Sequence, residues 1–461
     1  MGARSTRLTL VDAALPPDGD TTPFAGRGSR LKGVTPMTDR IRLVDALRGL
    51  ALGGIAVVHF GEQYLGSLPP PDHRAYAIHG TLDGVLEALA WLLIRGKGFG
   101  LFSLLFGLSF ALQMQRADRR DPSRDFRPRF AWRLLILFGI GWLHGLVYAG
   151  DILTVYALLG LPLIAFYRVP DRWLFVLAVV LMVGTPRIVQ RAARGPARPE
   201  EAKAEQQRAD EVAARHWGAL VSGRVPEIVR IHATDGFRGK WDFQFGPMGR
   251  GFQTFALFLV GLWAGRRRVF EDVEARRGLW KRLRRWTGWL TLAIPLVAAA
   301  FFVAGRALGA SPAGAQAGSP GGAGETPDLT SWPVIAGLCV FDAWNGIMTL
   351  FYASVFVLLF QRPSWQPRLL RFAAVGQMAL SSYVTQTLIG ACVFFGFGLG
   401  LLGKFGDTVT LPAGAVLFTL QTWACGWWLR RFRFGPLEWL WRSLTWLRVE
   451  PFRATTRPAA A

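Results

Sequence analysis

Ten apolar runs, near residues 43–64, 97–114, 132–149, 151–167, 172–189, 251–265, 287–305, 332–360, 372–398 and 411–429, leave this 461-residue chain few ways to fold. Most are long enough, or nearly so, to cross a hydrocarbon core of about 30 Å as a helix. In lipid a backbone must satisfy its own hydrogen bonds, which restricts spanning segments to helices or closed barrels. A mean hydropathy of +0.27, 51% hydrophobic residues and 19 tryptophans agree with a chain immersed in a bilayer. The sequence therefore predicts an all-α fold, a polytopic transmembrane helix bundle of about ten spans.

The formal charge of +22 would suit a nucleic-acid binder, but the arginines fall in the gaps between apolar runs. Nucleic acid is therefore not an expected partner; the lipid bilayer is. Arg116 to Arg129, Arg168 with Arg172, Arg266 to Arg285, Arg362 to Arg371 and Arg430 to Arg433 occupy every second gap. By the positive-inside rule these gaps are cytoplasmic, which predicts a multi-pass protein of the bacterial inner membrane with both termini inside. Cys339, Cys392 and Cys425 lie inside apolar runs without near partners, so packing is their expected role, and neither a disulfide framework nor a metal site is expected.

Residues 1–37 read as a disordered tail, with Met37 equally placed to be the start, and residues 38–450 as the transmembrane helical domain. Into that domain are set an extracytoplasmic insertion at 190–247, with a charged helical stretch from Glu200 to His216, and a flexible Ala/Gly/Ser/Pro loop at 309–328. Residues 451–461 form a C-terminal tail. Thr81 to Ile94 reads as a short amphipathic helix at the outer surface. Arg95 and Lys97 then fall outside, against the charge rule, where they are available to an anionic ligand.

Ionisable residues inside apolar runs are the candidate functional groups, because they are costly in lipid and normally face a bundle interior. Arg48 and His59 stand eleven positions apart in the first run. At about 100° per residue they lie within roughly 20° of the same face, separated by roughly 16 Å along the axis. Arg48 either reaches back to the headgroups or binds a substrate anion; His59 is either a satisfied core imidazole or a base. His144 and Asp151 flank a glycine-broken hairpin, Gly141 to Tyr156. Asp151 is placed either to cap the next helix or to orient an imidazole, His144 or His59, for proton transfer. Asp342, beside Asn345, is expected to face the interior, while Gln377, Ser381, Ser382, Tyr383 and Gln386 read chiefly as interhelical hydrogen-bonding groups. Glu438 sits in a Trp-rich interfacial helix whose expected role is anchoring.

Six stretches, Asp45-Ala-Leu-Arg48-Gly, Phe102-Ser-Leu-Leu-Phe-Gly107, the His144 to Tyr156 hairpin, Phe255 to Gly265, Gly376 to Tyr383 and Gly435-Pro-Leu-Glu-Trp-Leu-Trp441, resemble in order the YeiB-like bacterial membrane proteins, which carry the domain of unknown function 418. The resemblance covers roughly residues 38–450. Arg48, ten intervening residues and His59 are also distantly similar to the first-span signature of the membrane acyltransferase-3 proteins, although YeiB-like proteins usually have Asn at the position of His59. That second resemblance implies transfer of an acyl group to an extracytoplasmic or lipid-linked acceptor, with acyl-CoA a substrate rather than a cofactor. In this reading Arg48, Lys97 and Asp342 bind substrate, His59 is the base, and Asp151 orients an imidazole, with His144 beside it. The alternative is a transporter of a small anionic metabolite or lipid. No internal repeat of the kind common in transporters is visible, which favours the enzyme.

Overall fold

A computed structural model describes residues 37–123, 125–195, 199–307 and 331–453. The expected tail before Met37, the 309–328 loop and the chain after Arg453 lie outside the described residues. In chain order the helices are α1 (Met37–Gly61), α2 (Thr81–Leu93), α3 (Lys97–Arg120), α4 (Arg127–Gly145), α5 (Leu153–Phe166), α6 (Asp171–Met182), α7 (Thr185–Arg194), α8 (Pro199–Ser222), α9 (Val225–Ile231), α10 (Phe237–Phe245), α11 (Arg250–Arg266), α12 (Arg277–Ala307), α13 (Trp332–Phe360), α14 (Gln366–Leu370), α15 (Ala373–Gln377), α16 (Ala379–Phe394), α17 (Asp407–Trp428) and α18 (Pro436–Trp446). A π turn, His232–Gly236, joins α9 to α10. Among the described residues there is no β-strand, only one isolated antiparallel bridge between Phe432 and Arg453. The all-α expectation holds.

The ten-span expectation is not confirmed. Among the described residues, four stretches are long and apolar enough to cross a membrane, Arg42–Gly61, Thr81–Arg120, Trp332–Phe360 and Asp407–Trp428. A fifth is added if α6 and α7, bent by 58°, count as one. The sequence reads residues 172–189 as one straight run, but Gly184 adopts φ 76° and breaks it. Likewise the run at 372–398 divides at Met378 into α15 and α16. α5 is apolar but only 14 residues long, about two thirds of what a bilayer requires. The Thr81–Ile94 segment does form a helix, α2, ending at Leu93.

α1 is the central helix and packs against α3, α13, α15, α16 and α17. α3 runs antiparallel to it, since Gly98 lies on Ile55 while Ser109 meets Arg48. The most extensive helix pair, α3 with α11, is made close by reciprocal glycines: a methyl on Gly107 would lie 2.0 Å from the Phe258 carbonyl oxygen, and one on Gly261 2.0 Å from that of Leu104. Small residues of this kind let helices associate where lipid supplies no hydrophobic drive. Large apolar side chains face outward instead, among them Phe301 of α12, 76% exposed, and Trp423 of α17, 70% exposed. On a protein surrounded by water, so much exposed apolar surface would be a liability. Together with the apolar helices, it marks a membrane protein.

The 190–247 insertion is helical and folds back on the His59 end of α1. Trp217, Leu220 and Ile228 pack with Tyr64, Tyr148 and Phe394 in one core cluster, and the Gly396 amide donates to the Leu220 carbonyl at 2.8 Å.

Candidate functional site

The hairpin between α4 and α5 places two buried groups in contact. His144, at the end of α4, holds Nδ1 2.8 Å from Oδ1 of Asp151, and the two side chains are 2% and 0% exposed. Every other neighbour of that carboxylate is a donor. The Leu153 amide reaches Oδ1 at 3.1 Å, while the Thr154 amide and hydroxyl reach Oδ2 at 3.0 and 2.8 Å. Lys240 Nζ lies 3.5 Å from Oδ2. A carboxylate so surrounded is ionised and accepts only, so His144 must carry its proton on Nδ1. In the neutral ring Nε2 is then the lone pair, and it is buried without a partner among the described residues. Asp151 thus accepts the first amides of α5, as a cap does, and also holds the His144 ring.

His59 stands across the same aromatic group. Its ring centroid is 5.4 Å from Tyr64, 5.3 Å from Tyr148 and 6.1 Å from Tyr383, while His144 lies 6.2 Å from Tyr148 and 5.1 Å from Tyr383. His59 Nδ1 and the Tyr64 hydroxyl are, like His144 Nε2, buried polar atoms without a hydrogen-bond partner among the described residues, and the Tyr383 hydroxyl, which faces the Ile152 backbone, has no acceptor for its proton there. Buried polar atoms are normally satisfied, so such a set of unmet groups in one cluster calls for an explanation. Asp151 makes no contact with His59; the imidazole it orients is His144.

The insertion closes over this cluster through a chain of hydrogen bonds. Ser67 Oγ lies 2.6 Å from His216 Nδ1, His216 Nε2 lies 2.9 Å from His232 Nε2, and His232 Nδ1 lies 3.1 Å from the Leu146 carbonyl oxygen. A carbonyl only accepts, so His232 donates from Nδ1 and accepts at Nε2 from His216, whose Nδ1 accepts from Ser67. Both rings are neutral in this assignment. Burial lowers the pKa of His216 to about 3, helped by the repulsion a charged His232 would exert, and that of His232 to about 4, against the Leu146 carbonyl bond and with Lys240 nearby.

The remaining sequence candidates lie elsewhere. Arg48 does not reach this cluster: Nη1 donates to Asp45 Oδ1 at 2.9 Å and to the Gly376 carbonyl at 3.2 Å, and Nη2 to Ser109 Oγ at 2.8 Å. These bonds tie α1 to α3 and α15. Arg48 and His59 nonetheless both look towards the α15–α16 segment, at Gly376 and Tyr383, as the helical spacing requires. Lys97 and Asp342 fall in a second polar cluster, between α3, α11 and α13. Lys97 donates to the Trp91 carbonyl at 3.0 Å and sits 4.4 Å over the Trp344 ring. Asp342 pairs with Arg187 Nη2 at 2.8 Å, so its interior placement agrees with expectation.

Lys240, Arg187 and the tyrosines were not singled out as site residues by sequence. Lys240 sits in a segment that reads as a solvated insertion, and Arg187 at the frayed end of an apolar run. Of the tyrosines, Tyr148 carried a signal by lying inside the glycine-broken hairpin, and Tyr383 was read as an interhelical hydrogen-bonding group. Glu438 also departs from its expected anchoring role. Its Oε1 accepts the Leu380 and Ser381 amides at 2.6 and 3.0 Å, and its Oε2 accepts the Ser381 hydroxyl at 2.5 Å, so a carboxylate from α18 caps the N-terminus of α16.

Residues 324–448 match the family described as a protein of unknown function (DUF418). The chain is 29% identical over 442 residues to the uncharacterised protein YxaH of Bacillus subtilis (strain 168), covering 92% of this chain and 98% of that protein. It is 27% identical over 439 residues to the uncharacterised protein YeiB of Escherichia coli (strain K12), covering 87% of this chain and 95% of that protein. An uncharacterised 39.9 kDa protein from the amylase 3′ region of Bacillus acidopullulyticus is 24% identical over 415 residues, covering 90% of this chain and 96% of its own length. No solved structure matches. The chain is thus similar nearly end to end to YxaH and YeiB, and its match to the DUF418 family lies in α13 to α18.

Proposed function

We propose that this protein is an integral-membrane acyltransferase acting on a hydroxyl or amine of an extracytoplasmic or lipid-linked acceptor, with His144 as general base. The observation that carries the reading is the Asp151–His144 pair, whose free Nε2 is held in the tautomer that accepts a proton. In the transfer step the acceptor oxygen or nitrogen attacks the thioester carbonyl while its proton passes to His144 Nε2. The C–S bond then breaks, and the leaving thiolate recovers the proton. The Tyr383 and Tyr64 hydroxyls, whose protons meet no acceptor among the described residues, are placed to donate to the carbonyl oxygen as negative charge develops. Acyl-CoA is the proposed donor, as substrate. The arginine-rich segments orient the protein in the bacterial inner membrane with both termini cytoplasmic, which puts His59, His144 and the insertion towards the outer side. This assignment moves the base from His59 to His144 and removes Arg48 from the donor site, since its donors are engaged by Asp45, Ser109 and Gly376.

The test is single-turnover transfer from labelled acyl-CoA to membrane-extract acceptors by protein in nanodiscs. His144→Gln is expected to keep the wild-type melting temperature and lose about 10²- to 10⁴-fold in rate. Wild-type protein that neither binds nor consumes acyl-CoA would sink the reading, as would a fully active His144→Gln variant. Loss of anion uptake into proteoliposomes in that variant, without any acyl transfer, would support the alternative, a transporter of a small anionic metabolite or lipid.

A further inference from the structure

The cluster between α3, α11 and α13 holds more positive than negative charge. Each of its two carboxylates is already paired, Asp342 with Arg187 at 2.8 Å and Glu62 with Arg95 at 3.3 Å. Lys97 and Arg250 have no carboxylate within 4.0 Å among the described residues. Lys97 is compensated by the Trp91 carbonyl and the Trp344 ring. Arg250 faces Asp342, the carboxylate that Arg187 engages, from beyond ion-pair distance. Its guanidinium lies 4.9 Å over the Phe99 ring and makes no side-chain hydrogen bond among the described residues. Arg250 is partly exposed, so its planar fork of five donors is open to a ligand.

The surroundings supply the complementary half of a ligand site. Gln253, one turn after Arg250, donates Nε2 to the Asp342 carbonyl, and Asn345 donates Nδ2 to the Phe341 carbonyl. Both amides are thereby fixed, and both are left with a buried oxygen, Gln253 Oε1 and Asn345 Oδ1, that accepts nothing. Gly96 explains how the two helices meet there. It has φ 83°, in the left-handed region, and a methyl on it would lie 2.8 Å from Arg250 Nη2 and 3.0 Å from Asn345 Oδ1. The guanidinium and the orphan amide oxygen thus flank one point of the chain.

We infer that Arg250, with Lys97 behind it and the buried orphan oxygens of Asn345 and Gln253 beside it, forms a partly open subsite for a small oxyanion carrying a hydroxyl or amino group. The anion, a carboxylate or a phosphate ester, occupies the guanidinium fork. The neighbouring donor satisfies the amide oxygens. This chemistry fits either a soluble metabolite or the headgroup of a lipid, and the inference stands independently of the acyl-transfer reading, because binding alone tests it.

Thermal unfolding of the detergent-purified full chain would be followed against sodium phosphate, glycerol 3-phosphate and lactate at constant ionic strength, and in nanodiscs of phosphatidylcholine with or without phosphatidylglycerol. A saturable rise in melting temperature is expected with glycerol 3-phosphate or lactate, larger than with phosphate. A rise confined to the phosphatidylglycerol discs assigns the lipid source, and one seen in detergent assigns the soluble source. Arg250→Gln should weaken binding at least tenfold, and Arg250→Lys, which keeps the charge inside the bundle, should do so if the glutamine variant fails to fold. No saturable shift with any probe overturns the inference, as does unchanged affinity in the folded variant.

Discussion

Acidification should loosen the insertion before it touches the rest of the bundle. His216 and His232 are 4% and 3% exposed, and burial holds their pKa values at about 3 and about 4, below the ordinary 6.5. No carboxylate faces either ring; the nearby charges are Lys240 and the Arg215–Asp235 pair, which is 3.2 Å apart. A histidine whose folded pKa is depressed contributes stability that is complete above the unfolded value and is lost as pH falls through it. At pH 5 the unfolded rings are almost fully protonated and the folded ones almost fully neutral, which costs about 2 kcal/mol per ring. The Ser67–His216–His232–Leu146 chain can reverse to carry one proton, with His216 Nδ1 then donating to Ser67. A second proton sets two N–H groups against each other at 2.9 Å. The effect on local opening is therefore at least about 2 kcal/mol, or roughly 30-fold in protection. Hydrogen exchange of peptides from 199–245, corrected for intrinsic rates, should show that loss between pH 7.5 and pH 5, with α3 and α11 unaffected. His216→Gln, whose amide keeps the donor to His232, should reduce the loss. Equal protection at the two pH values would refute the reasoning.

Two further substitutions probe the architecture around the clusters. Glu438→Gln removes the charge that receives three donors at the start of α16, and a lowering of stability by about 1–3 kcal/mol is expected in urea or thermal unfolding; an unchanged midpoint would argue against the cross-helix cap. Arg187→Met leaves Asp342 as a buried carboxylate without its partner and should cost about 3–5 kcal/mol. The double variant Arg187→Met/Asp342→Leu should recover much of that loss, and a double variant as unstable as the single one would show that the pair is not the source.

What the sequence made legible was periodicity and chemistry type. The glycines of Phe102 to Gly107 and Phe255 to Gly265 were visible as motifs, and they prove to be the two surfaces of one helix pair. The shared face of Arg48 and His59 follows from the helical repeat alone, and the His144–Asp151 neighbourhood from the short hairpin. Partner choice was not legible. Arg48 meets Ser109 and Gly376, 61 and 328 positions away, and no local pattern encodes such distances. The span count is not confirmed for a related reason: hydropathy sees the apolar run at 172–189 but not the left-handed turn at Gly184 that bends it.

The stretches that carry the family resemblance converge on α16. Gly376, just before it, receives Arg48 from α1, and a methyl there would lie 1.8 Å from the Asp45 carbonyl oxygen, so the Asp45–Arg48 motif and the Gly376 motif are one contact. Glu438 from the Gly-Pro-Leu-Glu motif caps its first turn. One turn on, Tyr383 stands between His59 and His144. Further along, Gln386 Nε2 meets Gln421 Oε1 at 2.6 Å, fixing the helix against α17. A helix held at its start by a carboxylate, braced along its length and carrying the Tyr383 hydroxyl between His59 and His144, each with one ring nitrogen unpartnered among the described residues, is organised to hold that hydroxyl still. Rigid placement of a donor beside a base is what transition-state stabilisation requires, whereas packing alone would be served by phenylalanine.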